Sequence, residues 1–442
     1  MIVGGGFSGT LMAINLLRHQ GPSAVLIERN VRFGKGLAYS TAHNGHLLNV
    51  RAANMSALPD DPDHFCQWLA QRGHTDQSAF VSRAVYGDYL SDLLERARRD
   101  APGRLELVQD EAIAIECGPG VKVGLQSGRA IVADIAILAQ GNLPPSPPEG
   151  LDPAALGDRY VANPWSPDLA RGLSDDDEVL VIGTGLTMVD VVLLLDAQGF
   201  RGRVTALSRR GLRPRPHADT HARHAPLAER PRGEVTQLLR SVRGRARSMG
   251  WHHAIDELRP HTQAMWLAAS DTQRRRFLRH LRPWWDVHRH RLAPEVSKRL
   301  ELLLESGRLA IACGRSTRFD QNDSGVAVEW MPRGGGQARF GSFARVINCT
   351  GPQSNLLQTN DPLFQDLIEK GIARPDPLGL GLAVDQNGRL IGDDGRRTDI
   401  YALGPMTRGM FWGITSVPDI RKQVWNVARR LSNAHWVEGE GL

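Results

Sequence analysis

The feature that most limits what this chain can fold into is a glycine fingerprint that occurs twice. Gly4-Gly5-Gly6-Phe7-Ser8-Gly9 follows Ile2-Val3 and opens an apolar run to Leu17. Roughly 180 residues later, Gly183-Thr184-Gly185-Leu186-Thr187-Met188 follows Val179-Leu180-Val181-Ile182 and opens a second apolar run to Leu194. Each reads as a strand, a tight turn and a helix start. At such a turn, backbone N–H groups and the positive helix end approach a pyrophosphate with no side chain in the way. One copy is weak evidence for a dinucleotide. Two copies, each set between a β-type run and a helical run, predict an α/β chain with two Rossmann-like dinucleotide-binding domains. Such a pair suits the passage of reducing equivalents from a nicotinamide to a flavin.

The strand tips suggest which nucleotide goes where. The second strand of the first unit ends in Val25-Leu26-Ile27-Glu28-Arg29. A carboxylate there accepts hydrogen bonds from a ribose 2′-OH and repels a 2′-phosphate, so Glu28 favours FAD or NAD. The matching strand of the second unit ends in Leu207-Ser208-Arg209-Arg210-Gly211, with guanidinium groups in place of a carboxylate. Arginine forks bind phosphate oxygens in pairs, which favours NADPH. The same two arginines also fit a generally basic surface, since thirteen Arg lie between Arg201 and Arg247. The expected cofactors are FAD at the first site and NADPH at the second.

Composition narrows the chemistry. At 442 residues the chain has room for two or three domains. The net charge of +6 is almost wholly arginine, because only five residues are Lys; it fits a phosphate-bearing cofactor and an acidic substrate and does not require nucleic acid. No apolar run reaches membrane-span length and no signal peptide precedes the first strand. Only Met1-Ile2-Val3 come before the glycines, so a clipped first strand or a misassigned start codon is one expectation. Cys66, Cys117, Cys313 and Cys349 are scattered, with no C-x-x-C. That argues for a reducing cytoplasm and against structural zinc or a redox-active disulfide. No G-x-S-x-G elbow, P-loop or nucleophilic cysteine setting occurs, which disfavours hydrolase and NTPase readings. The oligomeric state is not readable.

Along the chain, residues 1–150 and 330–442 are expected to form a discontinuous FAD-binding domain. Residues 151–329 form the NADPH-binding domain, with a helical insert over 225–305. Helices are expected over His64–Gln71, with Asp63 as N-cap, and from about Tyr86 to Arg99. Strands are expected over Leu105–Ala112, Val121–Gln126, Ala130–Leu138, Leu309–Cys313, Val326–Met331 and Phe343–Cys349. Three apolar strands exit in a small residue and glycine, at Gly141, Gly351 and Gly404, the usual shape beside a bound dinucleotide. The last exit leads to Phe411-Trp412-Gly413-Ile414-Thr415 and a helix over Asp419–Leu431 whose N-terminus can face a flavin.

Several longer stretches together carry a resemblance. They are the first fingerprint, Leu47-Leu48-Asn49-Val50 with Asp60-Asp61-Pro62-Asp63, Leu207–Gly211 running to Pro214 and His217, and Arg282-Pro-Trp-Trp-Asp-Val-His-Arg-His-Arg291. The chain resembles, over nearly its whole length, the FAD/NAD(P)-binding family of YdhS-like proteins. That family is similar to the glutathione-reductase-like flavoproteins with two dinucleotide domains, class B flavin monooxygenases included. The resemblance implies an FAD-dependent, NADPH-using monooxygenase acting with O2 on a small molecule, with N-oxygenation of a small amine or amino acid as one implied chemistry. Baeyer–Villiger enzymes carry F-x-G-x-x-x-H-x-x-x-W, whereas the linker here, Gly157 to Trp165, has the Trp without the His. Two other readings stay open: an FAD/NAD(P)H oxidoreductase that inserts no oxygen, and a non-catalytic redox-sensing flavoprotein.

The candidate cofactor residues are Gly4, Gly6, Phe7, Ser8, Gly9, Glu28, Arg29, Asn49, Gly141, Gly351, Gly404 and Thr415 for FAD. For NADPH they are Gly183, Gly185, Thr187, Ser208, Arg209 and Arg210. Asn49 is the candidate hydrogen-bond donor where oxygen reacts, and a turn-capping Asn reads equally well. Trp412 and Thr415 are candidate catalytic contacts, and Trp412 equally fits a core position. The cluster Trp284 to Arg291 reads as an arginine–aromatic interface network or as an anion clamp. Its histidines are two apart on opposite helix sides, so no metal is expected.

Overall fold

Both fingerprints start from the central strand of a parallel sheet. In the computed structural model, which describes residues 1–40, 43, 45–218, 226–323 and 325–432, the first sheet has six strands. Their spatial order is Arg389–Ile391, Arg397–Ala402, Ala136–Leu138, Ile2–Val3, Ala24–Glu28 and Leu105–Gln109. Neighbours are parallel except the first pair. The chain walks outward from Ile2–Val3 through two strands and then returns on its other side. That reversal opens a crevice at the carboxyl end of Ile2–Val3, where the first glycine turn sits.

The second sheet repeats the plan. Its order is Arg339–Phe343, Gly325–Pro332, Leu309–Asn322, Arg203–Ser208, Glu178–Ile182, Arg345–Asn348 and Tyr160–Val161. Glu178–Ile182 lies parallel between Arg203–Ser208 and Arg345–Asn348, so Gly183 starts at the second reversal point. Both central strands are buried on both faces, which is why they read as unbroken apolar runs. Helices Phe7–Arg18, Arg83–Asp100 and Val417–Leu431 cover one face of the first sheet. A three-stranded antiparallel sheet and helix Pro362–Glu369 cover the other.

Several expected elements are redrawn. The run Ala130–Leu138 is two strands: Ala130–Ala133 joins the antiparallel sheet, and Ala136–Leu138 joins the parallel one. Ala112 begins its own strand, Ala112–Gly118, instead of ending Leu105–Gln109. Arg345–Asn348 pairs with Glu178–Ile182 (Val346 opposite Leu180), so residues 339–348 belong to the second sheet and not to the first unit. Helix His64–Ala70 follows Asp63, whose side chain makes no cap. Ser82, which accepts from Ala84 N–H at 3.2 Å, starts the next helix three residues earlier than expected, at Arg83. The C-terminal helix likewise starts at Val417.

The helical insert runs from Val235 to Glu305 and fills the crossover between Arg203–Ser208 and Leu309–Asn322; residue 225 lies outside the described residues. It reaches back to the C-terminal part of the chain. Trp266 Nε1 donates to Gly409 O at 2.8 Å and Gln263 Nε2 to Met410 O at 3.1 Å. The two segments joining the sheets run side by side, bridged at Leu143 and Gln353.

Candidate active site

The first fingerprint is built as a glycine turn should be. A Cβ on Gly9 would run into the Gly4 carbonyl, so only glycine lets the helix start against the strand. Glu28, only 7% exposed, accepts from Gly5 N–H at 2.7 Å. Its other oxygen accepts from the backbone and side-chain nitrogens of Asn30 at 2.9 and 2.6 Å. Gly34 N–H donates to Gly5 O at 2.9 Å, so the segment after Glu28 folds over the turn. Gly141 leaves the neighbouring strand facing open space, and Gly404 packs on Ser8 of the fingerprint helix. These features fit a dinucleotide at the carboxyl edge of the sheet. Arg29 pairs with Glu111 at 3.0 Å on the surface beside this turn.

At the second fingerprint the two glycines do different work. Gly183 has φ +117°, and a Cβ there would strike the Cys349 carbonyl. Gly185 faces open space, with nothing within 4 Å of a Cβ placed on it, and so does Gly351 across the crevice. An open cradle at a helix N-terminus fits a pyrophosphate. The third glycine of the usual pattern is Met188 here, fully buried. The Ser208 hydroxyl is already engaged, 2.8 Å from Thr184 Oγ1 and accepting from Gly211 N–H at 3.0 Å. Arg209 lines the crevice. Arg210 donates to Arg279 O at 3.4 Å, toward the insert and away from the cavity lining.

A cavity of about 880 Å³ opens from this cradle. It brings together Gly183, Gly185, Thr187, Ser208, Arg209 and Gly351 with Trp412 and Thr415, two of the three residues expected to be catalytic. Trp412 is half-buried, stacked on Trp266 with centroids 4.5 Å apart and edge-on to Phe277 at 5.4 Å. Asn49 is not part of the lining. Its carbonyl accepts from His217 Nε2 at 2.9 Å, on the seam between the two units. Beside it, His46 donates to Asp190 O at 3.0 Å and Arg83 pairs with the Asp190 carboxylate at 2.8 Å.

The remaining wall is cationic. Arg282, Trp285, Asp286, Arg289 and His290 come from helix Arg282–Arg289 and its end, Arg259 from an earlier turn of the insert, and Arg408 from the loop after Gly404. Arg259 and Arg408 make no ion pair among the described residues, and Arg408 Nε is buried without a hydrogen-bond partner among them. Burial, reinforced by neighbouring arginines, pushes Arg289 and Arg408 down to about 10. Burial and the same four arginines push His290 down to about 3, so it is neutral. Asp286 and Asp419 are the two carboxylates set among these arginines, which leaves an excess of two positive charges for an anion to neutralise. The rest of the expected cluster faces elsewhere: Arg291 forks onto Asp256 at 2.8 and 2.9 Å, and His288 Nδ1 donates to Trp284 O at 2.7 Å. Sequence reasoning missed Arg259 and Arg408, because nothing local distinguishes them from the other arginines.

Residues 1–143 match the family model described as FAD-NAD(P)-binding. Over 162 residues the chain is 32% identical to the L-aspartate N-monooxygenase (nitrosuccinate-forming) of Streptomyces cremeus, a stretch covering 34% of this chain and 24% of that protein. The matched part is thus about a quarter of the relative's length. Among solved structures, the ornithine hydroxylase of Pseudomonas aeruginosa superposes with a TM-score of 0.67 at 14% identity, over 98% of both chains. The FAD-bound cadaverine monooxygenase of Erwinia amylovora superposes with a TM-score of 0.69 at 13% identity, over 98% of this chain and 94% of that one. Residues 1–143 of the chain thus match an FAD-NAD(P)-binding family model, within a fold shared along nearly the whole length with the ornithine hydroxylase and the cadaverine monooxygenase.

Proposed function

We propose that the protein is an FAD-dependent, NADPH-using monooxygenase that oxygenates the amino group of a small amino acid. One observation carries the reading: the second glycine cradle, the C-terminal segment and a wall of four arginines converge on one cavity. When bound, the flavin supplies the redox chemistry and the activation of O2. Gly4, Gly6, Gly9 and Gly141 would hold its dinucleotide moiety, and Gly183, Gly185 and Thr187 that of NADPH, with Arg209 on the 2′-phosphate. Arg259, Arg282, Arg289 and Arg408 bind and orient the carboxylates of the substrate. Trp412, held flat by Trp266, keeps water out of the same space. Thr415 and the start of helix Val417–Leu431 form the far rim.

The relative from Streptomyces cremeus acts on L-aspartate, and two carboxylates suit a wall with an excess of positive charge. Purified holoenzyme supplied with NADPH and ¹⁸O2 is expected to place labelled oxygen on the nitrogen of L-aspartate or a related amino acid. NADPH oxidation with no labelled amine product from any amino acid would replace this reading with a plain oxidoreductase.

A further inference from the structure

Oxygenation of an amino group needs a free electron pair on nitrogen, and amino acids arrive as ammonium ions. Something in the cavity must take that proton. The four arginines cannot, because guanidinium groups are donors only. His290 is kept neutral by burial and by these arginines, so it does not hold a second proton near neutral pH. Asp419, in the first turn of helix Val417–Leu431, already accepts from the Ser416 hydroxyl and faces Arg289 at 3.9 Å, and Glu149, the third carboxylate of the lining, is paired with Arg315.

Asp286 is placed differently. Its side chain is 40% exposed and lines the cavity, and its ion-pair partner, Arg282, lies at 3.4 Å, a longer contact than the 2.8 Å pair of Arg83 with Asp190. It also shares a face of helix Arg282–Arg289 with two of the arginines, at spacings of four and three residues. A substrate whose carboxylates lie on Arg282 and Arg289 therefore brings its ammonium group to the carboxylate between them.

We propose that Asp286 is the base that receives the substrate ammonium and removes one of its protons. This rests on the N-oxygenation reading above. The step is R–NH3⁺ + Asp286–COO⁻ giving R–NH2 + Asp286–COOH. The overall balance is R–NH3⁺ + O2 + NADPH giving R–NHOH + NADP⁺ + H2O. Nitrogen and NADPH each lose two electrons, O2 gains four, and the proton taken by Asp286 leaves in the water. Enclosure by the cavity walls holds Asp286 above the usual carboxylate range, against the pull of Arg282 and Arg408, which brings it closer to an amine in proton affinity.

The test uses the holoenzyme with two probes, L-aspartate and succinate, which keeps both carboxylates and lacks the amine. In Asp286→Asn, succinate should bind as tightly as in wild type or tighter. Oxygenation of L-aspartate should fall by about a hundredfold or more, the size of a lost general base. Its rate should recover toward high pH as free amine becomes available, and Asp286→Glu should restore part of the activity at neutral pH. An Asp286→Asn enzyme with wild-type rate and pH profile, or one that loses succinate and L-aspartate binding equally, overturns the assignment. A wild-type enzyme that consumes NADPH and oxygenates no amine overturns the underlying reading, and the role of Asp286 with it.

Discussion

Arg83 and Asp190 form an ion pair at 2.8 Å that fastens the first unit to the fingerprint helix of the second. Their side chains are 15% and 10% exposed, so the pair is largely withdrawn from water. Removing one member leaves the other as a nearly buried, uncompensated charge. Arg83→Ala is expected to lower unfolding free energy by about 3–5 kcal/mol. Replacing both residues by apolar ones of similar volume should recover most of that loss. Urea unfolding of the single and double variants gives the comparison; an Arg83→Ala protein as stable as wild type would mean that water reaches the pair.

The two glycines of the second turn should fail in different ways. Gly183→Ala puts a side chain against the Cys349 carbonyl at a positive φ, so the loss is one of folding. Gly185→Val projects into open space, so thermal stability without cofactor should stay near wild type while NADPH binding disappears. Equal loss of stability in both variants would contradict the open cradle.

Discrimination between NADPH and NADH is expected to rest on Arg209 more than on Arg210, since Arg209 lines the cavity and Arg210 is turned toward Arg279. One charge-assisted contact is worth about 1.5–3 kcal/mol, or about tenfold to a hundredfold in affinity. Arg209→Ala should lose that factor for NADPH alone, and Arg210→Ala much less. Titration of each nucleotide into the two variants checks this, and an unchanged preference in Arg209→Ala would place phosphate recognition elsewhere.

Acid should weaken the seam at His217. Burial lowers it to about 4 from an ordinary 6.5, and its Nε2–H is given to Asn49 O. The unfolded chain therefore takes up the proton first. The contribution of the neutral side chain is complete above pH 6.5 and is lost as the pH falls from 6.5 to about 4. His217→Gln, which keeps a donor and cannot titrate, should flatten the Tm profile across that window. A profile as steep as that of wild type would point to other groups.

Much of the fold was readable because the fingerprints tie sequence to topology. A strand, a glycine turn and an apolar helix can be assembled in few ways, and both copies sit at the reversal of a parallel sheet. The strand Arg345–Asn348 was harder to place, because an apolar strand ending in glycine fits either sheet and only pairing decides between them. The position of Glu28 and Arg209 at the two strand tips was legible, because each directly follows or ends an apolar strand. The fate of Arg29 and Arg210 was not, since a partner such as Glu111 or the Arg279 carbonyl is brought near only by the fold. Arg259 and Arg408 are 149 residues apart in sequence and meet only because the insert folds back on the C-terminal segment.

That fold-back ties two properties together in descent. Arg282, Asp286 and Arg289 belong to the crossover of the second sheet, while Arg408, Trp412 and Asp419 belong to the last segment of the first. A lineage that exchanged one nucleotide-binding half for that of a relative would also exchange half of the cationic wall. If that wall reads the substrate as proposed, preference for the reductant and preference for the substrate are inherited as a linked pair, and chimeras cut at the connecting segments near Leu143 and Gln353 would change both traits at once.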